Sequence, residues 1–284
     1  MEHTRGVCFF DNGVSFMKKL VCVFGLAAAT ALPVQAALVM PNFANVPTGW
    51  TTDRYEPASF SNVGTYQGHT DVLGIGIART DGFTARPAPY QSQFYNTQGR
   101  QHAISGGVDS VLSAELYIPA EWGDAVNGSV RTDMWGVMTN GTSVSDYAII
   151  GFTNYGGVAR LRVWDDVDWV NLATPVDYDA WMDFAIDFTG SSYEYKVNGA
   201  VVYTDSTTNG TTGYSATIMQ GYNFCGDQSL SGAVCSDYTA HWSNTEEASQ
   251  VPTPASLPLV ALALLVLSTI TWKRRAGASL VPIK

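Results

Sequence analysis

The sequence predicts an all-β fold, a two-sheet antiparallel sandwich of the jelly-roll kind, and three observations support this. Apolar and polar residues alternate with a period of two in many segments, as they do in half-buried strands. The pair Asn198-Gly199 marks a tight hairpin. Residues 37–250 contain no long segment with the apolar period of a helix, and turn-forming residues are frequent there.

The clearest strand is predicted at residues 181–188, where apolar side chains at even positions face the core while Asp183 and Asp187 face outwards. Residues 112–118 and 160–164 show the same alternation. Each segment is therefore expected to form a strand of an antiparallel sheet with one buried face.

The hairpin has Asn198 and Gly199 at the two central positions of a type I′ turn, which both require a positive φ angle. Alternating residues flank this turn on both sides. A regular two-residue hairpin places Tyr195 opposite Val202.

The N-terminal segment is typical of a Sec signal peptide. Two lysines follow Met17, residues 20–32 are apolar, and Val34 and Ala36 fit the −3 and −1 positions of a cleavage site. Residues 1–36 are therefore predicted to be a signal peptide with an N-terminal extension, and translation is expected to start at Met17.

The C-terminal segment predicts a membrane helix. Residues 257–272 are mostly apolar, and Lys273, Arg274 and Arg275 follow at once. The basic triplet places this end of the helix in the cytoplasm by the positive-inside rule, so residues 276–284 are predicted to be a cytoplasmic tail.

The domain between these segments, residues 37–250, is strongly acidic. It carries 23 acidic and eight basic side chains, a net charge near −15. Such a surface repels nucleic acid and anionic membranes, so no nucleic-acid partner is expected.

Cysteine usage agrees with export. Cys8 lies in the extension and Cys22 in the signal peptide, which leaves Cys225 and Cys235 as a pair in the exported domain. Outside the cytoplasm these two are predicted to form a disulfide.

The middle of the chain resembles the concanavalin A-like lectin/glucanase (laminin-G-like) superfamily. The resemblance covers residues 110–224 and rests on the order of these motifs: Trp164-Asp165-Asp166, Trp169-Val170, Tyr178 to Trp181, an alternating strand, and Tyr195 to Tyr203 with its Asn-Gly turn. It implies a jelly-roll domain of a kind found in glycan-binding and glycan-cleaving proteins.

The tail resembles the PEP-CTERM sorting segment of Gram-negative bacteria. Val251, Pro252 and Pro254 match the motif, Thr253 replaces its usual Glu, and the apolar run and basic triplet complete residues 251–275. The resemblance implies an inner-membrane precursor processed by an exosortase-type enzyme, with the product at the cell surface or in the extracellular polysaccharide or biofilm matrix.

Three aromatic residues, Trp164, Trp169 and Tyr178, are candidates for a sugar-stacking platform, because an indole or phenol ring packs on the C–H face of a pyranose. Burial in the core is the alternative for each, and Trp169 is balanced between the two. Trp181 is expected to pack in the core.

Asp165, Asp166 and Asp168 crowd one short turn and offer oxygen ligands for Ca²⁺. Their spacing matches no stereotyped calcium loop, so a solvated acidic loop is the alternative. No other cofactor is expected.

Glucanases of this superfamily carry a Glu-x-Asp-x-(x)-Glu strand that supplies their catalytic carboxylates. The exported domain contains no such strand, so the sequence predicts a non-enzymatic protein that binds glycan or associates with exopolysaccharide. The alternatives are a secreted glycan-active hydrolase or lyase with an atypical site, and a purely structural adhesin.

Overall fold

The structure, a computed structural model, describes residues 37–227 and 229–244. The predicted signal peptide, the sorting motif and the C-terminal helix lie outside these residues. In the part of the chain that is described, no helix is long and apolar enough to span a membrane.

The described residues form fifteen strands that assemble into two sheets, which confirms the predicted all-β sandwich. The strands are β1 Ala37–Leu38, β2 Trp50–Thr52, β3 Ser59–Asn62, β4 Leu73–Ile77, β5 Thr97–Gly106, β6 Ser110–Ile118, β7 Arg131–Thr139, β8 Val144–Thr153, β9 Arg160–Trp164, β10 Trp169–Asn171, β11 Ala180–Phe188, β12 Tyr193–Val197, β13 Ala200–Asp205, β14 Gly213–Tyr222 and β15 Tyr238–Ser243. Short 3₁₀ turns at Arg79–Asp81, Ala88–Tyr90, Gln93–Asn96, Ala120–Gly123 and Ala125–Asn127 complete the described elements.

The first sheet has the order β13-β12-β11-β6-β15-β4-β3, and β1 pairs in parallel with β6. The second sheet has the order β10-β9-β8-β7-β14-β5-β2 and is antiparallel throughout. Strand β7 is therefore the central strand of the second sheet. Side chains on its outer side are flanked by β8 on one side and by β14 on the other.

The core lies between the two sheets, and strand alternation determines which side chains enter it. On β11 the even-numbered residues from Met182 to Phe188 are fully buried, and they pair with buried residues of β6, such as Ala114. Trp242 of β15 is also fully buried, and its indole N–H donates a hydrogen bond of 2.9 Å to the hydroxyl of Thr132 on β7. This bond joins the two sheets through the core.

The predicted hairpin is present, with φ angles of 49° at Asn198 and 76° at Gly199. Its register differs from the prediction in one respect. Tyr195 pairs with Tyr203 and not with Val202, because the strands slip by one residue between Tyr195 and Lys196. Such a bulge adds one residue to one strand and redirects the side chains beyond it.

The predicted disulfide between Cys225 and Cys235 is confirmed. It closes the connection between β14 and β15, in which the two cysteines are ten residues apart.

Candidate functional site

The outer surface of the second sheet carries a group of arginine, tryptophan and polar side chains. We call it the arginine–tryptophan face and define it by Arg131, Asp133, Trp135, Arg162, Trp164, Trp169 and Gln220. Side chains along β7 alternate between the two sides of the sheet. Met134 enters the core between the sheets, whereas Trp135 belongs to a separate apolar cluster outside that core.

Asp133 lies at the centre of this face and is fully buried. Its carboxylate accepts hydrogen bonds from Arg131 Nε at 2.7 Å, from Arg162 Nη2 at 3.1 Å and from Gln220 Nε2 at 3.2 Å. Burial disfavours the ionised form, but the two arginines outweigh it and hold the pKa of Asp133 below its usual value. The carboxylate is therefore ionised at neutral pH.

Arg162 reaches this carboxylate from β9, across the width of β8. The residue between them is Gly151, which pairs with Asp133 on one side and with Arg162 on the other. A Cβ atom at Gly151 would overlap Asp133 Oδ1 and the carbonyl oxygen of Thr132. The glycine leaves the space in which the ion pair forms.

Arg162 is itself nearly buried, and its pKa is lowered to about 9, mainly by burial and also by the charge of Arg131, with Asp133 opposing the change. The indole of Trp169 covers it, with the guanidinium carbon 3.6 Å from the ring centroid. Trp169 also lies 4.8 Å from the guanidinium of Arg131. One tryptophan therefore stacks on both arginines through cation–π contacts.

The face extends beyond this ion pair. Arg54 lies between the rings of Trp135 and Phe94, at 4.8 Å from each centroid. Its neighbour Asp53 has a pKa raised by burial, an effect that Arg54 partly opposes. The Asp53 carboxylate lies 3.5 Å from Arg54 Nε, and since Arg54 lies over Trp135, this carboxyl is at the edge of the same face.

Several buried polar atoms of this region lack a hydrogen-bond partner. They are Trp135 Nε1, Arg162 Nε, Gln220 Oε1 and Asp53 Oδ2, four of the eight such side-chain atoms on the described residues. Unsatisfied buried polar atoms are unfavourable and often mark a site completed by water or by a ligand. Their concentration makes this face the best candidate site.

The structure brings together two of the three predicted platform residues. Trp164 and Trp169 pair across the β9–β10 hairpin, with ring centroids 5.5 Å apart, and both are half-buried. Tyr178 does not join them, because it lies in the connection to β11 of the first sheet and packs beside Gly123. Trp181 is not in the core as expected; it is half-buried on the outer side of β11 and stacks on His69.

The predicted calcium ligands shape their own turn. Asp165 accepts bonds from the backbone N–H groups of Val167 and Asp168, and Asp168 accepts one from the N–H of Trp169. Asp166 accepts a bond from Asn209. Within the ranges described, no group of three or more His, Cys, Asp or Glu side chains could hold a metal ion. Calcium binding stays a prediction.

Burial and the neighbouring carboxyl of Asp146 raise the pKa of Asp166 to about 7. A carboxyl at Asp166 that is partly neutral near pH 7 reduces the charge repulsion with its carboxyl neighbours. The turn holds Trp169 at the start of β10, so these aspartates support the face by fixing its outermost strand.

The central residues of the face, Asp133, Arg131 and Gln220, were not among the candidates from sequence. One local signal was available, the alternation of Arg131, Asp133 and Trp135 along a single strand. Gln220 is 87 residues away from Asp133 in sequence, and no spacing connects them.

The geometry defines the class of fold, an all-β jelly-roll sandwich with an aromatic and charged outer face on its second sheet. No protein-family model matches the chain, and no curated protein matches its sequence. The predicted PEP-CTERM tail therefore has no support from these comparisons.

Solved structures that this chain resembles include three glycan-related proteins. A β-glucanase of Bacillus licheniformis is 16% identical, with 71% of this chain and 93% of that chain covered and a TM-score of 0.42. An endo-acting O-glycanase of the human gut microbiota is 13% identical, with 72% and 94% covered and a TM-score of 0.47. A carbohydrate-binding module from Bacillus subtilis is 12% identical, with 62% and 91% covered and a TM-score of 0.35.

The prediction of a non-enzymatic protein is wrong, since most of these similar structures are β-glucanases and other glycoside hydrolases. It relied on the missing Glu-x-Asp-x-Glu strand. Strand β7 has that spacing on its outer side, but with Arg131, Asp133 and Trp135 at the three positions. That motif does not include every carboxyl near the face, and the carboxyl of Asp53, on a neighbouring segment, is one that it omits.

Proposed function

We propose that this protein is a glycan-active protein that holds a polysaccharide chain across the arginine–tryptophan face. The observation that carries this proposal is the combination, on one sheet face, of paired tryptophan rings and buried polar atoms without partners. The rings of Trp164 and Trp169 offer apolar surface to a pyranose, and the polar atoms offer hydrogen bonds to its hydroxyl groups.

Replacing Trp169 with alanine should weaken glycan binding roughly tenfold, because the stacking surface is lost. Isothermal titration calorimetry of the purified chain measures this, with oligosaccharides that a glycan array has first identified. Tyr178→Ala is the matched control, since Tyr178 is an exposed aromatic residue away from the face. Equal losses in both variants, or none in Trp169→Ala, would place the binding surface elsewhere.

A second candidate function is cleavage of the bound glycan, and one observation favours it. The pKa of Asp133 is lowered, and the pKa of Asp53, at the edge of the same face, is raised by burial. Glycosidases commonly use two carboxyls whose environments separate their pKa values in this way, the protonated one as general acid. Asp53 is then the candidate acid.

The corresponding prediction concerns Asp53→Asn. This variant should lose the release of reducing ends from polysaccharide while its oligosaccharide affinity stays within about twofold, because only the proton donor is removed. Reducing-end assays and titration on the same preparation measure both quantities. Full turnover in Asp53→Asn would remove Asp53 from the proposed chemistry.

We further propose that the protein is exported and anchored as an inner-membrane precursor, then released to the cell surface or to an extracellular polysaccharide matrix by an exosortase-type enzyme. Sequence alone supports this proposal, through the signal-peptide pattern that ends at Ala36 and the tail from Val251 to Arg275.

A chain truncated after Gln250 should move from the membrane fraction to the soluble fraction, because the predicted helix is removed. Immunoblots of fractionated cells measure this shift, and N-terminal sequencing of the exported chain should begin at Ala37. A truncated chain that still fractionates with membranes would show that the anchor lies elsewhere.

A further inference from the structure

The arginine–tryptophan face is positively charged although the domain is acidic. Residues 37–250 contain only eight basic side chains against 23 acidic ones. Three of those eight, Arg131, Arg160 and Arg162, lie on the outer side of strands β7 and β9 in the second sheet, and Arg54 lies over Trp135 of the same face. Half of the basic side chains of the domain are therefore at one face.

Arg54 has its own anionic partner, Asp53, 3.5 Å away, but the charges of Arg131, Arg160 and Arg162 are not balanced by the partners that they contact. Arg131 and Arg162 share the single carboxylate of Asp133. The hydrogen bonds of Arg160 go to neutral oxygen atoms, the side-chain oxygen of Asn171 and two backbone carbonyls. Two guanidinium groups thus share one carboxylate while a third, that of Arg160, has no anionic partner among its hydrogen bonds, and the charges of Arg131 and Arg160 both lower the pKa of Arg162.

Two of the unpartnered atoms on this face are donors. They are Arg162 Nε and Trp135 Nε1, on residues that are 7% and 6% exposed, and Gln220 adds an unpartnered acceptor oxygen. Buried donors without partners, next to an excess of positive charge, match a ligand with a negatively charged acceptor group. A guanidinium fork fits the planar geometry of a carboxylate.

We infer that the glycan held at this face is anionic, with a uronic-acid residue whose carboxylate binds beside Arg131 and Arg162. This inference rests on the proposed function and names its substrate class. The apolar face of the sugar then stacks on Trp169, and the Gln220 oxygen accepts a bond from a hydroxyl group. A domain of net negative charge repels an anionic polymer over most of its surface, so a local cationic face directs where it binds.

The test compares one oligosaccharide with and without its charge. The purified full-length chain is titrated with an oligogalacturonate and with its methyl ester, which has the same sugars but no carboxylates. The acid should bind at least about tenfold more tightly at low salt, as expected for charge-assisted hydrogen bonds. That preference should shrink at high salt, because salt screens exposed charges.

Variants identify the residues that cause the preference for the acid over the methyl ester. Arg131→Gln should remove the preference for the acid, so that the ratio of the affinities for acid and methyl ester falls to about one. Arg160→Gln, which has only neutral partners and leaves the ion pair intact, should reduce it to a smaller extent. Lys196→Gln is the control, because Lys196 pairs with Asp187 on the first sheet and should leave both affinities unchanged.

Two results would overturn the inference while leaving glycan binding in place: equal affinity for acid and ester, or equal weakening of both by Arg131→Gln. An oligosaccharide without uronic acids that carries sulfate groups and binds as tightly as the uronate would also overturn the assignment to a carboxylate. Failure of the proposed function gives a different pattern, in which neither probe binds or Trp169→Ala changes neither affinity.

Discussion

Replacing Asp133 with alanine should lower the free energy of unfolding by about 3–5 kcal/mol. The substitution leaves Arg162, which is nearly buried, without the carboxylate that it contacts at 3.1 Å, and it also deprives Gln220 of an acceptor. Attraction between the charges offsets the unfavourable burial of an ion pair, and removing one charge leaves that burial uncompensated. Urea denaturation followed by tryptophan fluorescence measures the change.

Asp187→Ala is the matched control, since Asp187 forms a more exposed ion pair with Lys196 and should change stability by no more than about 1 kcal/mol. The pH dependence gives a second check. Because the pKa of Asp133 is lowered on folding, its contribution is present above the unfolded pKa of about 3.9 and is lost as pH falls through the folded value. Asp133→Asn should not show this fall in the free energy of unfolding at acidic pH. If the variant lost as much stability at acidic pH as the unmodified chain, Asp133 would be excluded as the source.

The fold was predictable because its signals are local. Alternation within residues 181–188 and 112–118 identified the buried faces of β11 and β6, and both faces pack in the core. The Asn198-Gly199 turn identified the hairpin for the same reason. The bulge at Tyr195 was not predictable, because it depends on pairing between strands and leaves no signature in either strand alone.

The site was mostly not predictable, because strand order creates it. Asp133, Arg162 and Gln220 come from β7, β9 and β14, and they meet only because β8 and β14 flank β7 in the second sheet. Proximity in sequence was also misleading. Tyr178 follows Trp169 closely in the chain, yet the chain passes to the other sheet between them.

The acidic turn shows why clustered aspartates alone do not establish a metal site. Asp165 and Asp168 use carboxylate oxygens to cap backbone N–H groups of their own turn, which short polar side chains do readily. Composition reveals how many carboxylates are present. It does not reveal whether their oxygens point at a common centre or at the backbone.

Replacing Gly151 with valine should abolish binding of the anionic glycan and lower the free energy of unfolding by more than about 4 kcal/mol. The added Cβ would overlap Asp133 Oδ1 and the carbonyl oxygen of Thr132, and a backbone oxygen held in a central strand cannot move aside as a flexible side chain can. The valine therefore strains β7 and also forces Asp133 and Arg162 apart. Denaturation and oligogalacturonate titration measure the two effects.

Gly107→Val is the matched control for this substitution. Gly107 lies outside the strands, and a Cβ there would meet only the carbonyl oxygen of Thr212, at 3.9 Å. The same change of residue in open space should alter stability by less than about 1 kcal/mol and leave glycan affinity unchanged. If Gly151→Val bound the oligogalacturonate as tightly as the unmodified chain, the contact between Arg162 and Asp133 would not be needed for binding. With the glycan bound at the arginine–tryptophan face, Gly151 contacts neither the sugar nor the solvent-exposed aromatic rings. A loss of affinity would therefore arise from the ion pair beneath the face.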